Sequence, residues 1–505
     1  RTNKLMWRQL VMTSNMKRVF LFFIIISITL GQKNPIDIAT VGSRQLRMNG
    51  QLNIDYNPAT LGYFAIKKQS LISGQNSVDT IPTVYDNELI QNDSLMIEDS
   101  LELVEVDSLS IDKILLIADS VDTVVEEVIS EDFRFNSPSF SIDLSFVSEF
   151  GNNAVTPDWI NNQLFGGKDL RDPQQKEQFF NGIDNVTLQT LTTVGLPLLN
   201  IRFGPNLIAL GQVNSYTSVN FSGLLNFIFE GIPIDEQLDL SSFDFRHITY
   251  LPISYSRGFQ LRDGFIPFGR ESYAGIRASM LIGLAELHTN NSTGLLVDKN
   301  GNTVIDMTVE ANSSMIGENP GLGLGFGFDT GLITEINDRL TIGLSTNNLV
   351  SFINWSSGAT FSSSLQGEVT PEQLSDPDSL SNYYVQNEET ISLGYKTSLP
   401  TSIHFSGTYL AKNWMILDAN LRFDIGDSYW ASQTPILSFG SEFLPKSNTP
   451  INIGLSIGGV DGFKLGYGLT IKMGGLVFDI AFGQQGGLFR NRTGSELGFG
   501  LRIEG

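Results

Sequence analysis

The chain contains no cysteine, and its 505 residues include only three histidines. Without cysteine there are no disulfides, iron–sulfur clusters, thiolate zinc sites or cysteine nucleophiles. His247, His288 and His404 lie far apart and share no ligand spacing such as H-x-x-x-H, so they read as isolated strand or loop residues. Long apolar runs are missing too. Mean hydropathy is +0.01, and no stretch supplies the ~20 apolar residues that a membrane-spanning helix needs. Charge is sparse at 17%, below the ~25% usual in soluble domains. The net charge of −22 argues against nucleic acid, which requires basic patches. G-x-S-x-G, P-loop and H-E-x-x-H patterns are all absent from the sequence, and such motifs carry much of the recognisable hydrolytic and phosphate chemistry. The expectation is a non-enzymatic protein with no cofactor, no metal and no catalytic residue.

Glycine and phenylalanine are abundant instead. The 49 glycines are about a tenth of the chain, against ~7% in average proteins. Phenylalanine, at 34, dominates the aromatics. In the last third, greasy residues alternate with polar or tiny ones. Along Met415–Ile425 one face carries Met415, Leu417, Ala419, Leu421, Phe423 and Ile425; the other carries Ile416, Asp418, Asn420, Arg422 and Asp424. The pattern recurs at Ile451–Gly458, Phe463–Met473, Leu476–Gly483 and Leu497–Glu504. A period of two means a strand with two different surroundings. Repeated strands of roughly ten residues, apolar on one face only, predict an all-β transmembrane antiparallel barrel. Further strands are predicted at Ser139–Val147, Asp244–Ser256, Ser272–Leu287, Gly321–Thr334, Arg339–Asn347, Thr390–Thr397 and Ser402–Leu410. Because bacterial single-chain barrels have even strand numbers, about fourteen strands are expected.

Gly321–Phe328 alternates glycine with apolar residues. It superficially resembles a phosphate loop, but no helix follows, so it reads as a strand whose inward glycines leave room for a plug or packed neighbour. Short helices are predicted from Asp172 to Gly182 and over Gly223–Glu230, each opened by a capping residue. Asp298–Asn302 contains the Asn-Gly of a tight hairpin. Asn354–Tyr383, rich in Ser, Gly, Pro and Asp, reads as a long surface loop.

Met16-Lys17-Arg18 followed by the apolar Val19–Leu30 reads as a secretory signal peptide, with Thr29 and Gly31 before a cut at Gln32. The chain therefore divides into four parts. Residues 1–31 are an upstream extension and signal peptide, and residues 32–76 a plug-like segment. Residues 77–132 are an acidic low-complexity insert, and residues 133–505 the barrel. The insert has roughly sixteen acids against the single Lys113, a composition that self-repels and resists collapse. It reads as a solvated tether or as a docking segment for partner proteins. The location expected from export and barrel together is the bacterial outer membrane, with its lipid as one partner.

Asp418, Asn420, Arg422 and Asp424 share the predicted inward face of one strand, and Lys464, Lys472, Asp479, Arg502 and Glu504 add both signs of charge on the final strands. Lumen faces are polar by default, so these predict a salt-bridged lining. Trp355, Trp414 and Trp430 are placed near strand ends, where interfacial girdles collect aromatics; the sharper alternative is a cradle for a hydrophobic ligand.

Several stretches together resemble a known family. They are Asn57-Pro58-Ala59-Thr60-Leu61-Gly62-Tyr63, Leu238–Phe245 leading to Ser254–Arg257, Gly323–Gly331, Ile336–Ser345, Asn348-Leu349 and Ile353-Asn354-Trp355. The chain resembles a domain-of-unknown-function family of bacterial outer-membrane barrels related to FadL-type transporters and PorV-type secretion barrels. That resemblance implies fourteen strands and an N-terminal hatch in which Asn57, Pro58 and Ala59 would plug the lumen; read alone, Asn-Pro simply starts a turn. It implies passage or binding of hydrophobic small molecules. The alternative is a structural or secretion-associated barrel that docks partner proteins. The last residues, Leu501–Gly505, lack the terminal aromatic usual in such barrels, although Phe499 is near.

Overall fold

The computed structural model describes residues 35–47 and 57–66. From 141 to 504 it describes all but the stretches 153–155, 160, 163–171, 173, 176–188, 198–199, 211, 221–236, 240–243, 298–302, 315–320, 371–385, 427–428 and 460–461. The predicted signal peptide, the acidic insert, the Gly223–Glu230 helix and the Asp298–Asn302 turn lie outside the described residues. Arg1–Tyr63 and Pro138–Gly505 form one compact unit; Phe64–Ser137 is a second, of which only residues 64–66 are described.

Among the described residues, nineteen strands make one antiparallel sheet. The first group is β1 (Ser141–Gly151), β2 (Gln189–Pro197), β3 (Asn200–Phe203), β4 (Asn206–Ala209) and β5 (Gln212–Asn220). Then come β6 (Gln237–Asp239), β7 (Asp244–Gln260), β8 (Glu271–Val297), β9 (Thr303–Ser313) and β10 (Gly323–Asn337). Next are β11 (Leu340–Val369), β12 (Gln386–Thr397), β13 (Thr401–Lys412), β14 (Met415–Ile425) and β15 (Ile436–Phe443). The last are β16 (Ile451–Gly458), β17 (Phe463–Met473), β18 (Leu476–Gln485) and β19 (Gly494–Glu504).

The ring closes at β1, which pairs β19 along Ser141–Phe146 and β2 along Val147–Gly151. Closure matters because an open sheet edge in lipid would leave backbone groups unsatisfied at several kcal/mol each. Five pairs of consecutive strands are collinear and share a place in the ring. β2 and β3 face β5 and β4. β6 and β7 both pair β8. β9 and β10 lie between β8 and β11. β12 and β13 both follow β11.

β16 shows why this sequence makes a barrel wall. Ile451, Ile453, Leu455 and Ile457 are 39–58% exposed, whereas Asn452 and Ser456 are 0% and 2% exposed. Apolar side chains face out and polar ones in, the reverse of a soluble sheet, as a lipid-facing wall requires. Among the described residues no helix is long and apolar enough to cross a membrane; the strands do the crossing.

The two ends of the ring differ. At one end most connections are short, 204–205, 338–339, 413–414 and 474–475, beside the longer 444–450 and 261–270. At the other they are long: 152–188, 221–236, 370–385 and 426–435. Short turns mark the periplasmic side of such barrels and long loops the outer side.

One expected element changes. Asn354–Val369, predicted as the first half of a surface loop, is strand: β11 continues through it, paired with β9 on one edge and β12 on the other. Its Ser and Gly content suggested a loop, yet strand propensity yields to context when both edges find partners. Of the Asp172–Gly182 helix only the start is described. There Asp172 Oδ1 accepts the Gln174 amide at 3.0 Å, and residues 174–175 are helical.

Inside the ring lies the N-terminal segment. Its helix α1 (Pro35–Thr40) is wholly buried and packs on β15–β19. A second helix, α2, covers residues 59–66.

Candidate functional site

The inward face holds two assemblies of different chemistry. The first is polar and surrounds the N-terminal segment. Inward glycines admit it: a Cβ at Gly454 would lie 2.5 Å from the Thr40 carbonyl carbon, and Gly466, Gly275 and Gly331 meet Ile38, Pro58 and Asn57 equally closely. Asn57 Oδ1 accepts the Ala59 amide at 3.0 Å, which starts α2. Its Nδ2 donates to the Leu332 and Leu344 carbonyls at 3.1 and 3.3 Å. Asn57 and Ala59 are buried at 1% and 0%, so the motif is fastened to β10 and β11. Tyr63 Oη donates to Glu335 Oε1 at 3.0 Å and packs edge-on against Tyr273.

Charge pins the same segment on β14, β15 and β16. Arg47 reaches Asp418 Oδ2 at 3.2 Å and also pairs with Glu442. Arg44 joins Glu442 at 3.3 Å and Asn452 Oδ1 at 3.2 Å. Burial, and then the like charge of Arg44, pull the Arg47 pKa down to about 9. Asn420 Nδ2 donates to the Gly42 carbonyl at 3.2 Å.

The second assembly is aromatic and lies toward the long-connection end. Tyr216, Ile248, Tyr250, Leu281, Ile353, Trp355, Leu399 and Tyr429 form one buried cluster, with Tyr395 and Trp430 packed on it. Trp355 stacks on Tyr395 at 6.2 Å and Tyr250 on Trp430 at 6.4 Å. Gly283 and Gly323 make room for the indole: a Cβ at either would fall 2.8 Å or less from the Trp355 ring. One carboxylate sits among these rings. Tyr395 Oη donates to Glu286 Oε2 at 2.5 Å and Tyr429 Oη to Glu286 Oε1 at 3.2 Å. Glu286 is 1% exposed.

Tyr429 and Trp430 come from the connection 426–435, which folds onto the cluster from the long-connection end. Tyr429 takes a left-handed φ of 53°, a conformation uncommon for a bulky residue. It is held there by Tyr216 Oη, which donates to its carbonyl. Burial, and then the neighbouring Glu286 charge, push the Tyr429 phenol well above its usual pKa, so it stays a donor.

The wall is irregular at this level. β7 and β8 shift register between Thr249 and Tyr250. β11 and β12 shift between Trp355 and Ala359. The breaks 314–322, between β9 and β10, and 398–400, between β12 and β13, flank the same cluster. Bulges and breaks are the usual means of re-aiming side chains inside a barrel.

The residues singled out from sequence fall into separate groups. Asp418 and Asn420 meet the N-terminal segment. Arg422 Nε donates to Asp424 Oδ1 at 2.7 Å, and Asp424 also accepts Ser402 Oγ at 2.7 Å. Asp479 faces Arg502 at 3.8 Å and accepts Thr470 Oγ1 at 2.6 Å. Lys464 bridges Glu149 and Glu496 at 2.7 and 3.0 Å. Lys472, at the short-turn end, donates to the Pro445 carbonyl at 3.4 Å. Trp414, 52% exposed and stacked on Phe443, fits the girdle placement. Trp355 and Trp430 do not: they join the interior cluster, because the glycines opposite open space there for an indole.

Glu149, Glu442, Glu496, Arg44, Arg47 and Glu286 were not identified from sequence. Period-two counting along β15 and β19 would have put Glu442 and Glu496 on the inner face. Nothing local marks Arg44 or Arg47, whose partners lie more than 370 residues away.

Residues 133–482 match the family of unknown function DUF5723. No curated protein matches. Among solved structures, the toluene transporter TodX of P. putida is 8% identical, with TM-score 0.36, over 73% of this chain and 90% of that one. The Ralstonia pickettii toluene transporter TbuX is 11% identical, with TM-score 0.37, over 73% and 92%. A Pseudomonas aeruginosa FadL homologue is 10% identical, with TM-score 0.34, over 73% and 93%. With the family match spanning well over half its length, this chain belongs to DUF5723.

Proposed function

We propose that this protein is a non-enzymatic outer-membrane barrel that binds hydrophobic small molecules in its interior and passes them across, in a FadL-like manner. Among nineteen strands with five collinear pairs, we read fourteen crossings, counting each pair once. The observation that carries the reading is the Trp355–Tyr250–Tyr216–Trp430 cluster. An otherwise polar lumen places its large apolar surface at one level, beside the interrupted strands. Trp355, Tyr250 and Tyr216 are 0–1% exposed, so a solute enters by parting these rings and buries its own apolar surface among them, at ~25 cal/mol per Å² removed from water, while a few polar groups such as Glu286 and its two tyrosines give orientation.

Asn57, Pro58 and Ala59 act as a plug motif in this proposal. Arg47 and Arg44 lock the segment against Asp418 and Glu442. The lock supports a second reading, a barrel that holds partner proteins and passes no solute, because the segment lies inside the ring with α1 packed on β15–β19.

Uptake of radiolabelled fatty acids and other apolar solutes by proteoliposomes separates the two. Uptake that saturates and drops at least tenfold in Trp355→Ala supports passage. Uptake equal to protein-free vesicles, by a barrel that still shows heat-modifiable gel migration, rules passage out and leaves docking.

A further inference from the structure

Exposed cations gather at the short-turn end. Arg257, Arg262, Arg270, Arg339, Lys412 and Lys446 are all exposed there. They sit at the end of β7, in the connection 261–270, and at the turns after β10, β13 and β15. The exposed acids described at this end are Asp263 and Asp338, and Arg270 pairs with Asp338. The excess of cations runs against a chain whose net charge is −22, so composition does not account for it.

Exposed aromatics share the same rim. Phe265 and Phe268 are 61% and 66% exposed, Phe259 39% and Trp414 52%. Rings of this kind settle at headgroup level in a bilayer. Cations beside them are then held in the plane of the lipid phosphates.

We propose that this rim selects anionic phospholipids by pairing its arginines and lysines with headgroup phosphates. The inference rests on the barrel reading. A planar guanidinium suits a phosphate, and each cation near an anionic surface adds about fivefold to binding. Spread along the rim from β7 to the turn after β15, these cations match many phosphates fixed in one plane better than a single dissolved anion. The lipid, and not free phosphate, is therefore the partner.

The test is native mass spectrometry of the full-length protein released from detergent with equal amounts of phosphatidylglycerol and phosphatidylcholine. Wild type is expected to retain phosphatidylglycerol preferentially. The variant Arg262→Gln/Arg339→Gln/Lys412→Gln/Lys446→Gln is expected to lose that preference at least tenfold, while Arg490→Gln, at the opposite end, keeps it. If the quadruple variant fails to fold, wild type in rising KCl replaces it, and the preference must fall as salt screens the exposed charges. Equal retention of both lipids by wild type overturns the proposal, as does a preference unmoved by the four substitutions. Displacement of the lipid by sodium phosphate well beyond that caused by KCl of equal ionic strength overturns the choice of partner. Heat-modifiable migration distinguishes the two failures: its loss defeats the barrel reading itself, whereas a shifting band without lipid preference defeats only the rim.

Discussion

The two sides of this barrel are built differently. From β14 to β19 the strands are 8–11 residues long and pair without a register shift. From β7 to β13 many are longer, up to 30 residues in β11, and the pairings carry bulges and breaks. The regular side presents glycine and small polar residues to α1, and its inner face is occupied by the protein's own chain. The irregular side presents Trp355, Tyr250 and Glu286. Regular pairing satisfies every backbone group and yields a smooth wall. Local surrender of that pairing is what lets large rings turn inward. The contrast teaches that the wall's defects, and not its ladders, locate the chemistry.

Substitutions probe each side. The largest effect is expected on the irregular side, where Trp355→Ala removes a fully buried indole at a cost of about 3–5 kcal/mol. Urea unfolding in lipid vesicles would register it, and a cost below 1 kcal/mol would mean that the cluster is not packed as described. On the regular side, Arg47→Met strands Asp418 without its cation and leaves Glu442 to Arg44 alone. Breaking such a buried pair costs about 3–5 kcal/mol, and protease should then cut the N-terminal segment faster while the barrel stays intact. Ile453→Arg puts a charge on the lipid face of β16 and is expected to cost about 2–4 kcal/mol near the midplane; its neighbour Asn452 points inward, so Asn452→Ser should not impair insertion. The smallest effect is expected for Tyr429→Phe, which removes one hydrogen bond to Glu286, worth about 1.5–3 kcal/mol when the partner is charged and less if Tyr395 alone satisfies it. Its readout is solute uptake, and an unchanged rate would show that the 426–435 connection plays no part in passage.

Much of the regular side was legible in sequence. Met415–Ile425, Ile451–Gly458 and Phe463–Met473 are strands at those bounds, because strict alternation has one geometric meaning. The irregular side was read less well. Asn354–Val369 looked like a loop since its residues are small and polar, and only pairing with β9 and β12 makes it strand. Trp355 looked like a girdle residue because its inward orientation depends on Gly283 and Gly323, which come from other strands.

By itself, then, the sequence determined a barrel wall with apolar residues outside and polar ones inside, since side-chain alternation is a local property of extended backbone. The same alternation puts Asp418 and Asn420 of β14 on the inner face, where both are buried. Tertiary structure decided what those inner faces touch. The pairing of Arg47 with Asp418 and Glu442, and the gathering of Glu286 with Tyr395 and Tyr429, join residues 109 to 395 positions apart. Closure of the ring brings them together, and no periodicity along one strand encodes which strand will stand across from it.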